Sequence, residues 1–206
     1  MIIVGITGGI GSGKSVICTI FKSLSVPVYD ADQEAKNLYE KYPELVEKIK
    51  QEISDEVFDK NGKVDRKKLA ELIFSDPDKL KKINSLVHPF VRKDFKKWCE
   101  TKESHAYVIK EAAILFESGA YKDCDKVISV VSPVELRVQR VRERDRKTKA
   151  EVEKIIENQM TDEERSKRSD FIIRNDETEM LIAQVLAIHE QINKEMKKDS
   201  ESKNTI

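Results

Sequence analysis

The chain opens on an unbroken apolar run, Ile2 to Thr7, followed by the glycine-rich stretch Gly8 to Gly13. A run without polar alternation is the pattern of a strand buried on both faces of a parallel sheet. Beyond the glycines, Val16, Ile17, Ile20, Phe21 and Leu24 recur at helical spacing, so the opening reads strand, loop, helix. A short second strand, Val26 to Tyr29, ends at Asp30-Ala31-Asp32. From residue 33 to 104 the pattern changes. Leu38, Leu45, Ile49 and Ile53 form a loose helical face, and Asp59-Lys60-Asn61-Gly62 reads as a turn. Asp76-Pro77 has the form of an N-cap followed by Pro at the first helical position, and Leu80, Ile83, Leu86 and Val87 supply that helix's buried stripe. His88-Pro89 is expected to stop or break it, with Val91, Phe95 and Trp98 on a further helix. The stretch reads as a helical insertion between sheet strands.

Strand character returns at Tyr107 to Ile109 and at Lys126 to Val131. Ser132-Pro133-x-Glu135, Thr148-x-x-Glu151 and Thr161-x-x-Glu164 each have the form of a capping box. The helix after the first carries Arg137, Arg140 and Arg144, whose offsets put them on one face. Asp170 to Arg174 is a short strand, and Leu181, Ile182, Val185, Ile188 and Ile192 mark a long final helix. The tail from Lys197 is polar and expected to be disordered. Parallel-type strands alternating with helices predict a doubly wound α/β core.

Composition narrows the class. With 206 residues, 39% hydrophobic and 37% charged, the chain builds one sizeable core with small excursions. Lys and Arg total 38 against 38 Asp and Glu, so no bulk charge calls for nucleic acid or an anionic membrane, and local clusters must carry any anion binding. No window approaches the roughly 20 apolar residues of a spanning helix, and the N-terminus lacks a basic leader. Cys18, Cys99 and Cys124 have no metal-like spacing and fit a reducing compartment; the cytoplasm is the expected location.

The chemistry is concentrated at the start. Gly8-Gly9-Ile10-Gly11-Ser12-Gly13-Lys14-Ser15 matches G-x-x-x-x-G-K-[ST] and lies after a strand and before a helix, as that motif requires. Its backbone N–H groups can curl around phosphate oxygens, Lys14 can reach the β- and γ-phosphates, and the Ser15 hydroxyl can ligate Mg2+. Gly9, Ile10, Gly11, Ser12, Gly13, Lys14, Ser15 and Val16 are the expected ATP phosphate-binding residues. A GTPase would carry an Asn-Lys-x-Asp motif to read its base, and none is present. The apolar strand at Val127 to Val131 ends at Ser132 without the acid usual in motor ATPases. Small-metabolite kinases do without that acid if another carboxylate serves, and Asp32 ends the second strand, at the edge where open α/β sheets bind ligands. One of Asp30 and Asp32 is then a helix cap and the other, taken here as Asp32, orients the acceptor hydroxyl or accepts its proton. Arg140 and Arg144 either clamp phosphoryl oxygens or pair with Glu143 or Asp145. Arg165, Lys167 and Arg168 either touch nucleotide or lie on the surface. His88 has either a packing or a substrate role.

These elements together resemble the dephospho-coenzyme A kinase family over nearly all of residues 1 to 196. The resemblance rests on Thr7 to Ser15, Asp30-Ala31-Asp32, His88-Pro89-x-x-Arg92, Leu115-Phe116-Glu117, Arg140 with Arg144-Asp145, Gln159, and Asp170-x-x-Ile173-x-Asn175. It implies a P-loop kinase fold: a five-stranded parallel sheet flanked by helices (1–32, 98–136 and 168–196), a helical acceptor domain (33–97) and a helical lid (137–167) that closes on ATP, with 197–206 as tail. It also implies ATP-dependent phosphorylation of the ribose 3'-hydroxyl of dephospho-coenzyme A. Asp32, Lys14 and Arg140 would be catalytic, Arg144 would hold phosphate, His88 and Arg92 would bind the acceptor with Asp32, and Asn175 would lie in the adenine region. Mg2+ would accompany ATP, and the partners would be ATP and dephospho-coenzyme A, with no nucleic acid or membrane, in a monomer or small homo-oligomer. The sequence departs from the family at Ala113, where Pro is usual, and at Glu111-Ala112, where aliphatics are; Glu111 either supports the site or faces solvent. A nucleoside or nucleotide kinase explains the loop and arginines equally but not His-Pro-x-x-Arg. A nucleotide sensor would bind ATP without turnover.

Overall fold

The computed structural model describes residues 1–203, apart from the side chains of 74–75 and 197–203. It divides into two compact units, Met1–Tyr29 with the chain from Lys102 onward, and Asp30–Thr101.

The first unit is built on the strands β1 (Ile2–Thr7), β3 (Tyr107–Glu111), β4 (Lys126–Val131) and β5 (Phe171–Arg174). With β2 (Val28–Asp30) they form one sheet in the order β2-β3-β1-β4-β5. β1 pairs in parallel with β3 and β4, and β4 with β5. Because β1 lies between two neighbours and under helices, both its faces are buried, which is why its sequence carries no alternation. The helix α1 (Lys14–Ser23) follows β1, and α9 (Leu181–Lys203) closes the chain. Ile17 and Phe21 of α1 and Val185, Ile188 and Ile192 of α9 share one core with Val4, Ile6, Ile109, Ile128, Val130 and Ile173 of the strands. Between β4 and β5 lie α6 (Val134–Asp145), α7 (Lys149–Glu157) and α8 (Asp162–Lys167). α9 runs to Lys203, past the point at which the sequence predicts a disordered tail; its Lys, Glu and Met residues are good helix formers and prolong it. Residues 204–206 of that expected tail lie outside the described residues.

The second unit contains α2 (Ala31–Lys41), α3 (Pro43–Glu52), α4 (Arg66–Ser75) and α5 (Pro77–Glu100). It is a few residues wider at each end than the predicted 33–97. Leu38, Tyr42, Leu45, Ile49, Val57, Leu69, Ile83, Val87 and Phe90 make its own core. The predicted turn is present: the Asp59 carboxylate accepts from the amides of Asn61 and Lys63, and Gly62 takes φ 74°. Asp76 caps α5 through the amides of Asp78 and Lys79.

One expectation fails here. α5 does not stop at His88-Pro89 but continues through Pro89 to Glu100, a single helix of 24 residues. A proline inside a helix forfeits one backbone bond and crowds the carbonyl four residues back, at a cost of about 3 kcal/mol. Ile83 and Val87 before it, and Phe90 after it, are buried in the unit's core, and Phe95 is buried further along. Burial of apolar side chains at about 1.5–3 kcal/mol each on both sides of the proline outweighs that loss. His88 and Arg92 therefore ride one continuous helix, four residues apart and on one face.

Candidate active site

Parallel pairing brings the ends of β1, β4 and β5 to one edge of the sheet. The stretch Gly8 to Gly13 leaves β1 there, and Ser132 and Asn175 end the neighbouring strands. The loop's turn is closed by the Ser12 amide donating to the Gly9 carbonyl at 3.1 Å. The Ile10 amide donates to Gln159 Oε1 at 2.8 Å. Ile10 and Ser12, both expected to offer amides to phosphate, thus spend them inside the protein and serve to shape the loop. Among the described residues the amides of Gly11, Gly13 and Ser15 take no protein partner. These three, at and just before the start of α1, are donors available to meet an anion. The Lys14 ammonium donates to the Gly8 carbonyl at 2.9 Å, which folds it back over the loop. Val16 uses its amide on the Gly13 carbonyl at 3.0 Å and exposes its side chain.

Mg2+ is tested by Ser15. It is exposed in the first turn of α1, and among the described residues its hydroxyl takes no protein partner. No group of three His, Cys, Asp or Glu is gathered for a metal among those residues. A single hydroxyl suits an ion that takes most of its oxygens from phosphate and water.

The three arginines of α6 share a face but not a role. Arg137 is 4% exposed; its Nε donates to the Ile10 carbonyl at 2.9 Å and its NH1 to Asp162 at 3.4 Å. Burial pushes its pKa below the ordinary arginine value, and Asp162 offsets part of that. Arg140 donates to the Ser132 hydroxyl at 3.1 Å, to the Asn175 backbone and side-chain oxygens, both at 3.3 Å, and to Glu177 at 3.1 Å. Arg144 is largely exposed and forks onto the carboxylate of its neighbour Asp145, at 2.7 and 2.9 Å. The hydroxyl of Ser132 is taken by Arg140, so it does not cap α6. The residue before that helix is Pro133, without a side-chain cap, and the first predicted capping box is absent. A proline ring ahead of Val134 fixes the entry without it. The other two boxes are complete, Thr148 with Glu151 and Thr161 with Glu164.

The predicted lid is rooted in the loop. Val138 and Val141 of α6 and Val152 of α7 bury a small core against which Ile10 and Ile156 pack. With the Gln159 and Arg137 bonds, the base of the hairpin and the Ile10 peptide form one body. Arg165 of α8, open at the sequence level between nucleotide and surface, is fully buried. It donates to Asp162 at 2.7 Å and to the Met160 carbonyl at 2.9 Å, and it lies 3.8 Å from Glu117. Arg168 stacks over Phe116, at 4.4 Å from the ring centre, while Lys167 pairs with Glu163 at 2.7 Å. Leu115-Phe116-Glu117 is thus a seat for α8. Glu111 is buried at the end of β3 and does not face solvent.

Asn175, expected near adenine, is 8% exposed and uses both ends of its amide internally: Nδ2 donates to the Ser12 carbonyl at 2.8 Å and Oδ1 accepts from Arg140. In the second unit Asp30 is the cap of α2, accepting from the Gln33 amide at 2.8 Å, and Asp32 stands exposed in that helix's first turn. Asp30 thus takes the capping place that the sequence reading gave to one of the two acids. Gln159 entered that reading only through the family resemblance, and the loop contacts of Arg137, Gln159 and Asn175 have no local signal in the chain.

Comparison with known proteins gives a consistent picture. A family model described as dephospho-CoA kinase matches residues 2–180. A dephospho-CoA kinase of Fusobacterium nucleatum is 41% identical over 175 residues, covering 85% of this chain and 90% of the relative. The crystal structure of a Thermus thermophilus protein superposes with a TM-score of 0.77 at 34% identity, over 91% of this chain and 95% of the other. A dephospho-CoA kinase from Campylobacter jejuni superposes with a TM-score of 0.68 at 28% identity, over 93% and 97%. Among the described residues no helix is long and apolar enough to cross a membrane.

Proposed function

The chain belongs to the dephospho-CoA kinase family, which catalyses the last step of coenzyme A synthesis with ATP, and from that premise we propose how its residues divide the work. The γ-phosphoryl group of ATP passes to the ribose 3'-hydroxyl of dephospho-coenzyme A, and ADP leaves. The observation that carries this reading is the loop after β1, where the amides of Gly11, Gly13 and Ser15 take no partner among the described residues while those of Ile10 and Ser12 are tied down. Donors fixed before the anion arrives need no reorganisation during the reaction, the condition for strong electrostatic stabilisation.

Lys14 moves from the Gly8 carbonyl to the β- and γ-phosphate oxygens and offsets the charge developing there. Ser15 contributes its hydroxyl to Mg2+, which when bound neutralises phosphate charge. Asp32 orients the acceptor hydroxyl and takes its proton late, since loose phosphoryl transfer asks little basicity of it. Arg140 supplies positive charge near the transferring group, and Arg144 exchanges its exposed Asp145 partner for a phosphate oxygen as the hairpin tip closes. His88 and Arg92 hold the acceptor from α5. The reaction takes place in the cytoplasm. The test is coupled turnover with dephospho-coenzyme A, adenosine and AMP offered in parallel. Turnover confined to dephospho-coenzyme A is expected; preference for either nucleoside compound would make the protein a nucleoside or nucleotide kinase instead.

A further inference from the structure

The amides free to meet phosphate share peptide groups with carbonyls that are not free. Arg137 Nε donates to the Ile10 carbonyl at 2.9 Å, and Asn175 Nδ2 donates to the Ser12 carbonyl at 2.8 Å. A trans peptide is planar, with its C=O and N–H pointing in opposite directions, and the chain contains no cis peptide among the described residues. The N–H opposite the Ile10 carbonyl is that of Gly11, and the one opposite the Ser12 carbonyl is that of Gly13. Holding these two carbonyls outward therefore turns the amides of Gly11 and Gly13 the other way. Both are loop amides without a protein partner among the described residues.

We propose that Arg137 and Asn175 are positioning residues of the phosphate loop, each aiming one glycine amide, Gly11 and Gly13 respectively, at the phosphates of the nucleotide. The proposal rests on the phosphate-loop reading above. Neither side chain touches substrate; both act through the peptide they hold.

The space around the loop supports the same assignment independently. A Cβ on Gly9 would stand 2.1 Å from Arg137 NH2, and one on Gly13 would stand 2.1 Å from Asn175 Nδ2. The two glycines are the openings through which the aiming side chains reach the backbone. Gly13 also adopts φ 96°, where a side chain is strained. The aiming groups are themselves fixed. Asn175 Oδ1 accepts from Arg140, which settles which end of the amide faces Ser12. Arg137 is held by Asp162, and Gln159 secures the other side of the Ile10 residue by taking its N–H. The chain thus directs alternate peptides of the loop from two separate elements, α6 and the end of β5.

The one-to-one pairing makes the test. The full chain has seven glycines, so a glycine-selective 15N spectrum resolves them. Addition of ADP with magnesium to the wild-type protein is expected to move the Gly11 and Gly13 amide protons downfield. Asn175→Asp replaces the donor by an acceptor while keeping an oxygen for Arg140; it should abolish the Gly13 shift and keep that of Gly11. Arg137→Lys removes the Nε–H and should do the reverse. Gly9→Ala, whose methyl group meets the Arg137 guanidinium, should reproduce the Arg137→Lys pattern and replaces it if that variant does not fold. Each variant should weaken ADP by roughly 10-fold, the loss of about one hydrogen bond to a charged group, and leave the KM for dephospho-coenzyme A within about twofold. Side chains that merely support the fold would move both glycines or neither, and either outcome overturns the proposal. Absence of both shifts in the wild-type protein would instead refute the phosphate-loop reading itself.

Discussion

Asp162 sits where two buried cations meet. Its Oδ1 accepts from Arg165, fully buried, at 2.7 Å, and its Oδ2 from Arg137, 4% exposed, at 3.4 Å. Oδ2 also accepts from the Ser132 amide at 3.4 Å. Asp162→Ala leaves both guanidinium groups where water cannot replace the lost charge. Removing one partner of a buried pair costs about 3–5 kcal/mol. The Asp162 side chain is 24% exposed and Glu117 stands 3.8 Å from Arg165, so the lower end, about 3 kcal/mol, is the expected loss. With a urea dependence of about 2 kcal/mol per M, the unfolding midpoint should fall by about 1.5 M. Asp162→Asn keeps the size and one accepting oxygen and should lose roughly half as much. The double variant Asp162→Ala with Arg165→Met removes the stranded charge along with its partner, so it should be less destabilised than the sum of its single changes. The assay is urea denaturation of the wild type, both Asp162 variants, Arg165→Met and the double variant, followed by circular dichroism. A midpoint shift under about 0.3 M for Asp162→Ala, or strict additivity in the cycle, would refute the claim that this carboxylate holds the base of the hairpin together.

Asp32→Asn should lower kcat by roughly 10²- to 10⁴-fold while ATP affinity stays near wild type, whereas Asp30→Asn should cost stability more than turnover; kcat and the ATP dissociation constant of both variants decide it, and an active Asp32→Asn beside a dead Asp30→Asn would reverse the assignment. Pro89→Ala restores the bond from residue 89 to the Ser85 carbonyl within α5 and should stabilise the protein by about 1–2 kcal/mol, read as a raised unfolding midpoint. Hydrogen bonds from Thr148 and Thr161 hold the carboxyls of Glu151 and Glu164 below their ordinary value of 4.5. A carboxyl depressed in the folded state contributes stability that is present above its unfolded pKa and lost as pH falls through its folded one. Acid titration from pH 4.5 downward should therefore loosen α7 and α8, and Glu151→Gln with Glu164→Gln should flatten that part of the stability curve.

Local chemistry was legible in the chain, and contacts closed by tertiary folding were not. The strand-loop-helix opening, the Asp30 cap and the capping boxes at Thr148 and Thr161 each depend on residues within a few positions of one another, so composition and spacing suffice. Asn175 reaches a carbonyl at Ser12 and Gln159 an amide at Ile10, across most of the length of the chain. Nothing near position 159 or 175 announces either bond. Arg165 illustrates a second limit: in DEERSK every residue but Ser166 is charged, which reads as solvated surface, yet the one residue between the Asp162 carboxylate and the Met160 carbonyl is fully buried. Pro89 shows a third. A local rule forbidding helix was overruled by apolar burial on both sides of it, a sum that only the assembled core discloses.

The openings at Gly9 and Gly13 bear on what selection can erase. Glycines tolerated for the sake of a ligand become free to drift once the ligand no longer matters. Here a methyl group at either position meets a protein side chain that is already engaged, so the change would disturb the resting fold whether or not ATP is ever bound. A descendant of this chain that had lost turnover would keep both glycines under pressure from folding alone, and would still carry a loop that looks fit for phosphate. In such a lineage the first traces of decay would show at Ser15, whose exposed hydroxyl takes no protein partner among the described residues.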